Sequence, residues 1–209
     1  MYFQLTTKCN MTCGHCCFSA THRGKDMSDE VFKAALRLAQ DLDDYELTLG
    51  GGEPTLHPKF WEFLGLTLKA SALMYSDLKP LVITNGSVTD TSLALARLNK
   101  AGAIYAELSQ DEWHDPIDPK VIREFMQNAG TRTVRHIKSV GRGKGVAGSS
   151  YGCCCETMLV DPEGSIWSCG CKRVRWGTVF APEIPEDRYD DNGDHECGQD
   201  RIKRLRKVA

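Results

Sequence analysis

The chain reads as an α/β fold built from parallel βα units, five or six of which make an open or partial barrel. Two observations predict it. Short apolar, β-branched segments alternate with helical stripes along the first 140 residues. Each of those segments ends in a polar or glycine-rich cluster. The ten cysteines fall in two clumps, four at positions 9 to 17 and six from position 153 onward.

The elements follow in order. Residues 2–7 form the first strand and lead into the first cysteines. Ser28 suits an N-cap, with Asp29 and Glu30 favourable in the first turn, and Val31, Ala35, Leu38, Ala39 and Leu42 make a helical stripe. Residues 46–49 read as a strand ending in a glycine run. Pro58 can open a second helix carrying Phe60, Trp61, Leu64 and Leu68. Residues 81–84 are a short strand before an Asn85-Gly86 turn, 91–101 a helix closed by Gly102, and 104–109 the next strand. Asp118 and Pro119 start another helix with Val121, Ile122, Phe125 and Met126, and 132–140 read as a fifth strand. Strands separated by helices of this length pair in parallel through right-handed crossovers.

Such folds place their chemistry at the carboxyl ends of the strands. Five clusters then share one rim: the cysteine loop, Gly51-Gly52-Glu53, Thr84-Asn85-Gly86, Ser109-Gln110-Asp111 and Gly141-Arg142-Gly143. Along 104–109, Ile104, Ala106 and Leu108 share one face and Tyr105, Glu107 and Ser109 the other. Helices cover apolar faces, so the polar set is expected to line the lumen. Glu107 there needs a polar substrate, an amine or a water network as partner.

Bulk properties narrow the function. At 209 residues the chain is one domain, or one domain with a small appendage. With 26 basic and 28 acidic side chains it is no generic polyanion binder, which disfavours nucleic acid as a partner. No apolar run is long enough for a bilayer span, and the start of the chain has no signal-peptide layout. A cytoplasmic protein is expected. Vicinal thiols such as Cys153, Cys154 and Cys155 bridge one another poorly, so both clumps read as metal ligands.

Cys9, Cys13 and Cys16 stand as C-x3-C-x2-C. Three thiolates in one tight loop can hold three irons of a [4Fe–4S] cluster and leave the fourth without a protein ligand. Cys17, adjacent to Cys16, is a poor fourth partner for the same cubane. The competing reading is a structural zinc site using Cys17 or a remote ligand.

The run Lys8-Cys9-Asn10-Met11-Thr12-Cys13-Gly14-His15-Cys16, followed by Gly51-Gly52-Glu53-Pro54, resembles the radical S-adenosylmethionine (radical SAM) superfamily over roughly the first three quarters of the chain. The resemblance implies a (β/α)6 core spanning residues 1–150. It also implies a [4Fe–4S] cluster whose open iron chelates SAM, and reductive cleavage of SAM to a 5′-deoxyadenosyl radical. His15 stands where the family usually has an aromatic residue. Resemblance further assigns the backbone of Gly51 and Gly52, with Glu53, to the methionyl amino group, and Asn85 to the SAM pocket. Ser109 and Asp111 resemble a pair contacting the ribose and carboxylate of SAM, and Arg142 stands in a stretch that backs its adenine and carboxylate. His114, just beyond the rim, is a candidate proton donor or substrate contact, and Glu107 a candidate catalytic carboxylate.

Cys153, Cys154 and Cys155 precede an apolar segment at 157–160. A turn at Asp161, Pro162, Glu163 and Gly164 follows, then residues 165–168, Cys169 and Cys171. A hairpin brings its two ends together. The layout is similar to the SPASM and twitch extensions, which implies one auxiliary iron–sulfur cluster on residues 151–180. A zinc staple and free thiols are the competing readings. Residues 181–209 form a charged tail, read as solvated.

The expectation is therefore an enzyme, supplied by an external low-potential donor of flavodoxin or ferredoxin type, that abstracts hydrogen from a peptide or protein side chain. A nucleotide or small metabolite is the alternative substrate. A non-enzymatic iron–sulfur or zinc module and a glycyl-radical activase are the alternative classes. Activases usually lack the carboxy-terminal cysteine hairpin.

Overall fold

A computed structural model describes residues 1–44, 46–74, 78–128, 130–132, 140–146 and 157–186. The expected ligands Cys153, Cys154 and Cys155, and the tail beyond residue 186, lie outside the described residues.

Four helices alternate with five parallel strands. These are β1 (Tyr2–Thr6), α1 (Asp29–Asp41), β2 (Thr48–Gly51), α2 (Phe60–Met74), β3 (Leu81–Thr84), α3 (Thr89–Lys100), β4 (Tyr105–Ser109), α4 (Pro119–Asn128) and β5 (Gly130–Arg132). Four shorter strands follow: β6 (Leu159–Val160), β7 (Ser165–Trp167), β8 (Arg175–Thr178) and β9 (Ala181–Pro182). All nine join one mixed sheet in the order β5-β4-β3-β2-β1-β6-β7-β8-β9. The pairs from β5 across to β6 are parallel, and β6 to β9 pair antiparallel.

Local chemistry sets the boundaries. The Ser28 hydroxyl accepts the N–H of Val31 at 3.2 Å and opens α1, a cap that contributes about 1 kcal/mol. Pro54 starts a single 3-10 turn (Pro54–Leu56), so the second helix begins at Phe60, two residues beyond Pro58. Strand β2 runs on into the glycine run, to Gly51, because the glycines pair with the end of β1. Strand β5 already begins at Gly130, earlier than the apolar pattern indicates, since its pairing partner is the upper half of β4.

The core lies between the helices and one face of the sheet. Phe3, Leu5, Leu49, Val82, Ala106 and Leu108 are buried there. Phe32 of α1 stacks on Phe63 of α2 at 4.0 Å, and Phe3 meets Phe32 edge-on at 5.6 Å. Each fully buried phenylalanine contributes roughly 1.5–3 kcal/mol. The opposite face of β4 carries exposed Tyr105 with half-buried Glu107 and Ser109, the alternation its sequence predicts.

The hairpin turn is organised by one side chain. Asp161 accepts the N–H groups of Glu163 and Ser165, each at 3.0 Å, and the indole N–H of Trp167 at 2.8 Å. Among the described residues no helix is long and apolar enough to cross a membrane.

Candidate functional site

The site is built where β1 ends. The Cys9 N–H donates to Thr21 O at 2.9 Å, and the Thr21 N–H donates back to Thr7 O at 3.2 Å, so the cysteine loop leaves and returns at one point. Inside it, the Cys16 N–H donates to Cys13 O at 3.2 Å. Cys9 is buried and Cys13 and Cys16 half-buried, and none forms a disulfide. Burial pushes the Cys9 thiol above its ordinary value. Burial, and then the neighbouring Cys9, push Cys13 up to about 11. Thiols that resist ionisation this way become thiolates when a cation compensates them.

The donor set fits an iron–sulfur cluster: three thiols on one loop can each take one iron and leave the fourth iron without a protein ligand.

The glycine run is the second wall. A side chain at Gly50 would strike the Tyr2 hydroxyl at 2.0 Å; one at Gly51, where φ is +151°, would strike Thr6 O at 2.5 Å; one at Gly52 would strike Lys8 O at 2.2 Å. At Gly51 and Gly52 the obstacle is backbone, so those two approaches require glycine, whereas at Gly50 it is the end of the Tyr2 side chain. The N–H groups of Gly51, Gly52 and Glu53 donate to Tyr2 Oη, Thr6 O and Lys8 O, at 2.9, 2.8 and 2.8 Å. The donors of this run are spent on β1 and on Lys8 just beyond it. A cationic ligand group would have to meet carbonyls.

Glu53 behaves differently from a surface carboxylate. It is fully buried, and its Oε1 accepts from the Thr55 N–H at 3.1 Å, the Thr55 hydroxyl at 2.6 Å and the Thr84 hydroxyl at 2.8 Å. Its Oε2 accepts the Asn85 N–H at 2.6 Å. Burial pushes its pKa up, opposed by those four donors. The carboxylate thus ties β2 to β3.

Asn85 in turn reaches the cysteines. Its Nδ2 lies 3.6 Å from Cys9 Sγ and 3.2 Å from Asn10 Oδ1, while its Oδ1 accepts the Ser87 N–H at 2.9 Å and hydroxyl at 2.6 Å. The Met11 N–H also points at Cys9 Sγ, 3.4 Å away. Weak N–H···S donors of this kind stabilise a metal-bound thiolate.

Two segments clamp the loop from either side. From the far end of the chain, Arg142 donates through Nε to Cys13 O at 2.9 Å, through Nη1 to Ala20 O at 2.6 Å and through its backbone N–H to Cys16 O at 3.0 Å. Gly141 precedes it with φ +58°, and a side chain there would strike Cys17 O at 2.3 Å. From the β4–α4 loop, Asp111 Oδ1 accepts the Trp113 N–H at 2.8 Å and pairs with His114 Nδ1 at 2.7 Å. The Trp113 ring lies beside Gly14, and His15 packs edge-on to His114 with ring centroids 5.2 Å apart. Burial lowers the His15 pKa.

The structure thus brings together His15, Asn85, Asp111, His114 and Arg142 around the three cysteines, with Gly51, Gly52 and Glu53 as the adjoining wall. Ser109, at the carboxyl end of β4, and Glu107, two residues before it, share the half-buried face of that strand. Cys169, buried, and Cys171, half-buried, stand in the turn after β7. Sequence reasoning missed Thr84 as a partner of Glu53, Asn10 as a partner of Asn85, and Trp113. A hydroxyl ending one strand beside a carboxylate ending the next was the available signal for Thr84. Trp113 gave none.

Comparison with known proteins agrees with this geometry. The Radical SAM superfamily profile matches residues 3–144. The mycofactocin maturase MftC of Mycolicibacterium smegmatis is 32% identical over 141 residues, 66% of this chain and 34% of that protein. MftC of Mycobacterium tuberculosis is 33% identical over 63 residues, 30% of this chain and 16% of that protein. The chain therefore spans about a third or less of the curated relatives it matches. The crystal structure of BtrN in complex with AdoMet and 2-DOIA superposes with a TM-score of 0.60 at 17% identity, covering 92% of this chain and 82% of that one, which shows a shared fold. With a profile match that takes in the cysteine loop, the glycine rim and Arg142 together, the chain belongs to the radical SAM superfamily of enzymes, which hold a [4Fe–4S] cluster and bind SAM.

Proposed function

We propose that Cys9, Cys13 and Cys16 hold the cluster, that the rim of Gly51, Gly52, Asn85, Ser109 and Asp111 receives SAM, and that the chain modifies a peptide or protein side chain by hydrogen abstraction. Held there and reduced by an external low-potential donor, the cluster with SAM would supply the 5′-deoxyadenosyl radical for that abstraction. One observation carries the reading: the cysteine loop and the glycine rim are hydrogen-bonded into one unit, through Glu53 N–H to Lys8 O and Asn85 Nδ2 to Cys9 Sγ.

The chain's own residues then divide the work. Asn85 and the Met11 N–H face the Cys9 sulfur, and Arg142 fixes the loop carbonyls. Glu53 holds the rim in place from beneath, so the contact to a methionyl ammonium falls to the backbone of the glycine run. His15 and Asp111 bound the adenosine side. His114, paired with Asp111, can hold or pass a proton at Nδ1. Glu107 offers a carboxylate on the open sheet face, in the lumen of the partial (β/α)6 barrel that the six parallel strands are inferred to form.

A peptide substrate is favoured by the identity with a maturase and by the likeness of the Asp161 hairpin to SPASM and twitch extensions. In that reading Cys169 and Cys171 join cysteines of 153–155 in one auxiliary cluster. The test is anaerobic reconstitution followed by reduction and measurement of 5′-deoxyadenosine. Wild type is expected to form it and Cys13→Ala to lose it. About four irons per chain mean one cluster and about eight mean two, the second lost in Cys169→Ala. Stimulation of deoxyadenosine formation by a peptide fraction, and not by small metabolites, supports the substrate class; the reverse pattern overturns it.

A further inference from the structure

Apart from the cysteines, the described residues bring one other set of metal-ligating side chains together. His15, Asp111 and His114 each offer a ligand atom, and those atoms lie within 4.8 Å of one another. The three side chains are 11%, 5% and 8% exposed. His15 comes from the cysteine loop; Asp111 and His114 come from the β4–α4 loop that Trp113 pins beside Gly14.

The set is incompletely bonded. Nδ1 of His15 and Oδ2 of Asp111 are buried and have no hydrogen-bond partner. The nearest cationic candidate for Oδ2 is His15 Nε2, 3.6 Å away. Leaving a buried carboxylate oxygen unpaired costs about 1–3 kcal/mol or more, and a bound cation removes that cost.

We propose that His15, Asp111 and His114 form a mononuclear site for a divalent first-row transition cation, separate from the cysteine-bound cluster. Two imidazoles and one carboxylate, without a thiolate, suit manganese, iron, cobalt or zinc. Bonds of about 2.0–2.2 Å set neighbouring ligand atoms about 3.0–3.4 Å apart. Closure from the present spacing is thus a matter of side-chain rotation. His114 Nδ1 and Asp111 Oδ1 already stand 2.7 Å apart, so a cation shared by that nitrogen and the carboxylate takes the place of their hydrogen bond. Three protein donors leave further coordination positions open.

His15 and Asp111 are also residues proposed above to bound SAM. One consequence rests on that reading: the cation and SAM exclude one another.

The experiment titrates the anaerobically reconstituted holoenzyme with Mn2+ and reads the free ion from its EPR signal. Wild type is expected to take up about one Mn2+ per chain, with binding about tenfold or more weaker in Asp111→Asn and in His114→Ala. The exposed neighbour Glu112→Gln is expected to bind as wild type, and SAM to displace the ion. Iron and sulfide content report whether each variant keeps its fold; if Asp111→Asn loses its cluster, His114→Ala decides. No Mn2+ uptake by cluster-loaded protein, or equal uptake in wild type and both variants, overturns the metal site and leaves the SAM reading standing. Uptake lost in both variants but indifferent to SAM keeps the metal site and overturns the assignment of His15 and Asp111 to SAM.

Discussion

The carboxylate of Glu53 accepts the backbone N–H of Asn85 at 2.6 Å, and the same asparagine extends its side-chain amide toward Cys9 Sγ at 3.6 Å. A buried charge on one strand end thus positions a sulfur-facing donor on the next. Each oxygen of Glu53 accepts a backbone N–H, from Thr55 or from Asn85, so Glu53→Gln sets its amide N–H against a backbone N–H whichever way it turns. Bonds to a charged acceptor are worth about 1.5–3 kcal/mol. We expect Glu53→Gln to lose about 2–3 kcal/mol in urea unfolding of the metal-free protein. An unchanged midpoint would show that the four bonds carry no net stability.

Arg142 joins the cysteine loop to the chain 129 residues later by grasping Cys13 O, and Ala20 O besides. Lysine keeps the charge but cannot span two carbonyls with a planar fork. Arg142→Lys is therefore expected to weaken cluster retention, and Arg142→Ala to weaken it further. The measurement is iron and sulfide per chain after anaerobic gel filtration. Equal retention in both variants would mean that the loop holds its shape without the clamp.

Tyr2 lies across Gly50 and accepts the Gly51 N–H through its hydroxyl at 2.9 Å. Tyr2→Phe keeps the ring and removes the acceptor, so the glycine rim loses one of its three bonds to this side while those of Gly52 and Glu53 remain. We expect a weaker apparent affinity for SAM, of about tenfold for a bond worth about 1–1.5 kcal/mol, with cluster content preserved. Equilibrium binding of SAM to the reconstituted protein reads this directly.

Much of this arrangement was legible in the sequence, and the exceptions share a cause. The helices were readable from Ser28, Pro119 and the apolar stripes, because period and caps are local properties. Convergence of the strand ends on one rim followed from topology. The bonding inside the rim did not. Thr84 and Glu53 are 31 residues apart, and only the parallel pairing of β2 with β3 sets hydroxyl against carboxylate. Glu53 carries a charge that suggests a ligand, yet its position beneath the glycines commits that charge to protein donors. Trp113 looks like a solvated loop residue until Gly14 provides a surface without a side chain for it to cover. Strands β8 and β9 hold only four and two residues and carry no clear alternation.

Phe63 tests the packing that holds α1 and α2 on the sheet. Its ring stacks on Phe32 at 4.0 Å, nearly parallel, and is fully buried. Phe63→Ala removes that contact and opens a cavity, for an expected loss of about 3–5 kcal/mol. Phe63→Leu, which fills most of the volume, is expected to lose less than half as much. Denaturant unfolding of both variants checks the ordering, and equal losses would point to the stack rather than the cavity as the larger contribution.

Cys13 gives a pH dependence with a definite sign. Burial and the nearby Cys9 raise its thiol from 9.0 to about 11 in the metal-free protein. The folded state therefore keeps the proton longer than the unfolded chain does. Stability from this group is fully present below about pH 9 and declines as pH rises toward 11. The same shift keeps the thiolate scarce near neutrality, and its fraction grows about tenfold per pH unit until the pKa is reached. Iodoacetamide labelling of anaerobic, metal-free protein, mapped by mass spectrometry, should climb at Cys13 without levelling between about pH 8 and 10, the interval over which a solvated thiol of pKa about 8.5 levels off. Early saturation at Cys13 would mean that the loop opens to solvent when no metal is bound, and that the cluster, rather than the fold, closes it.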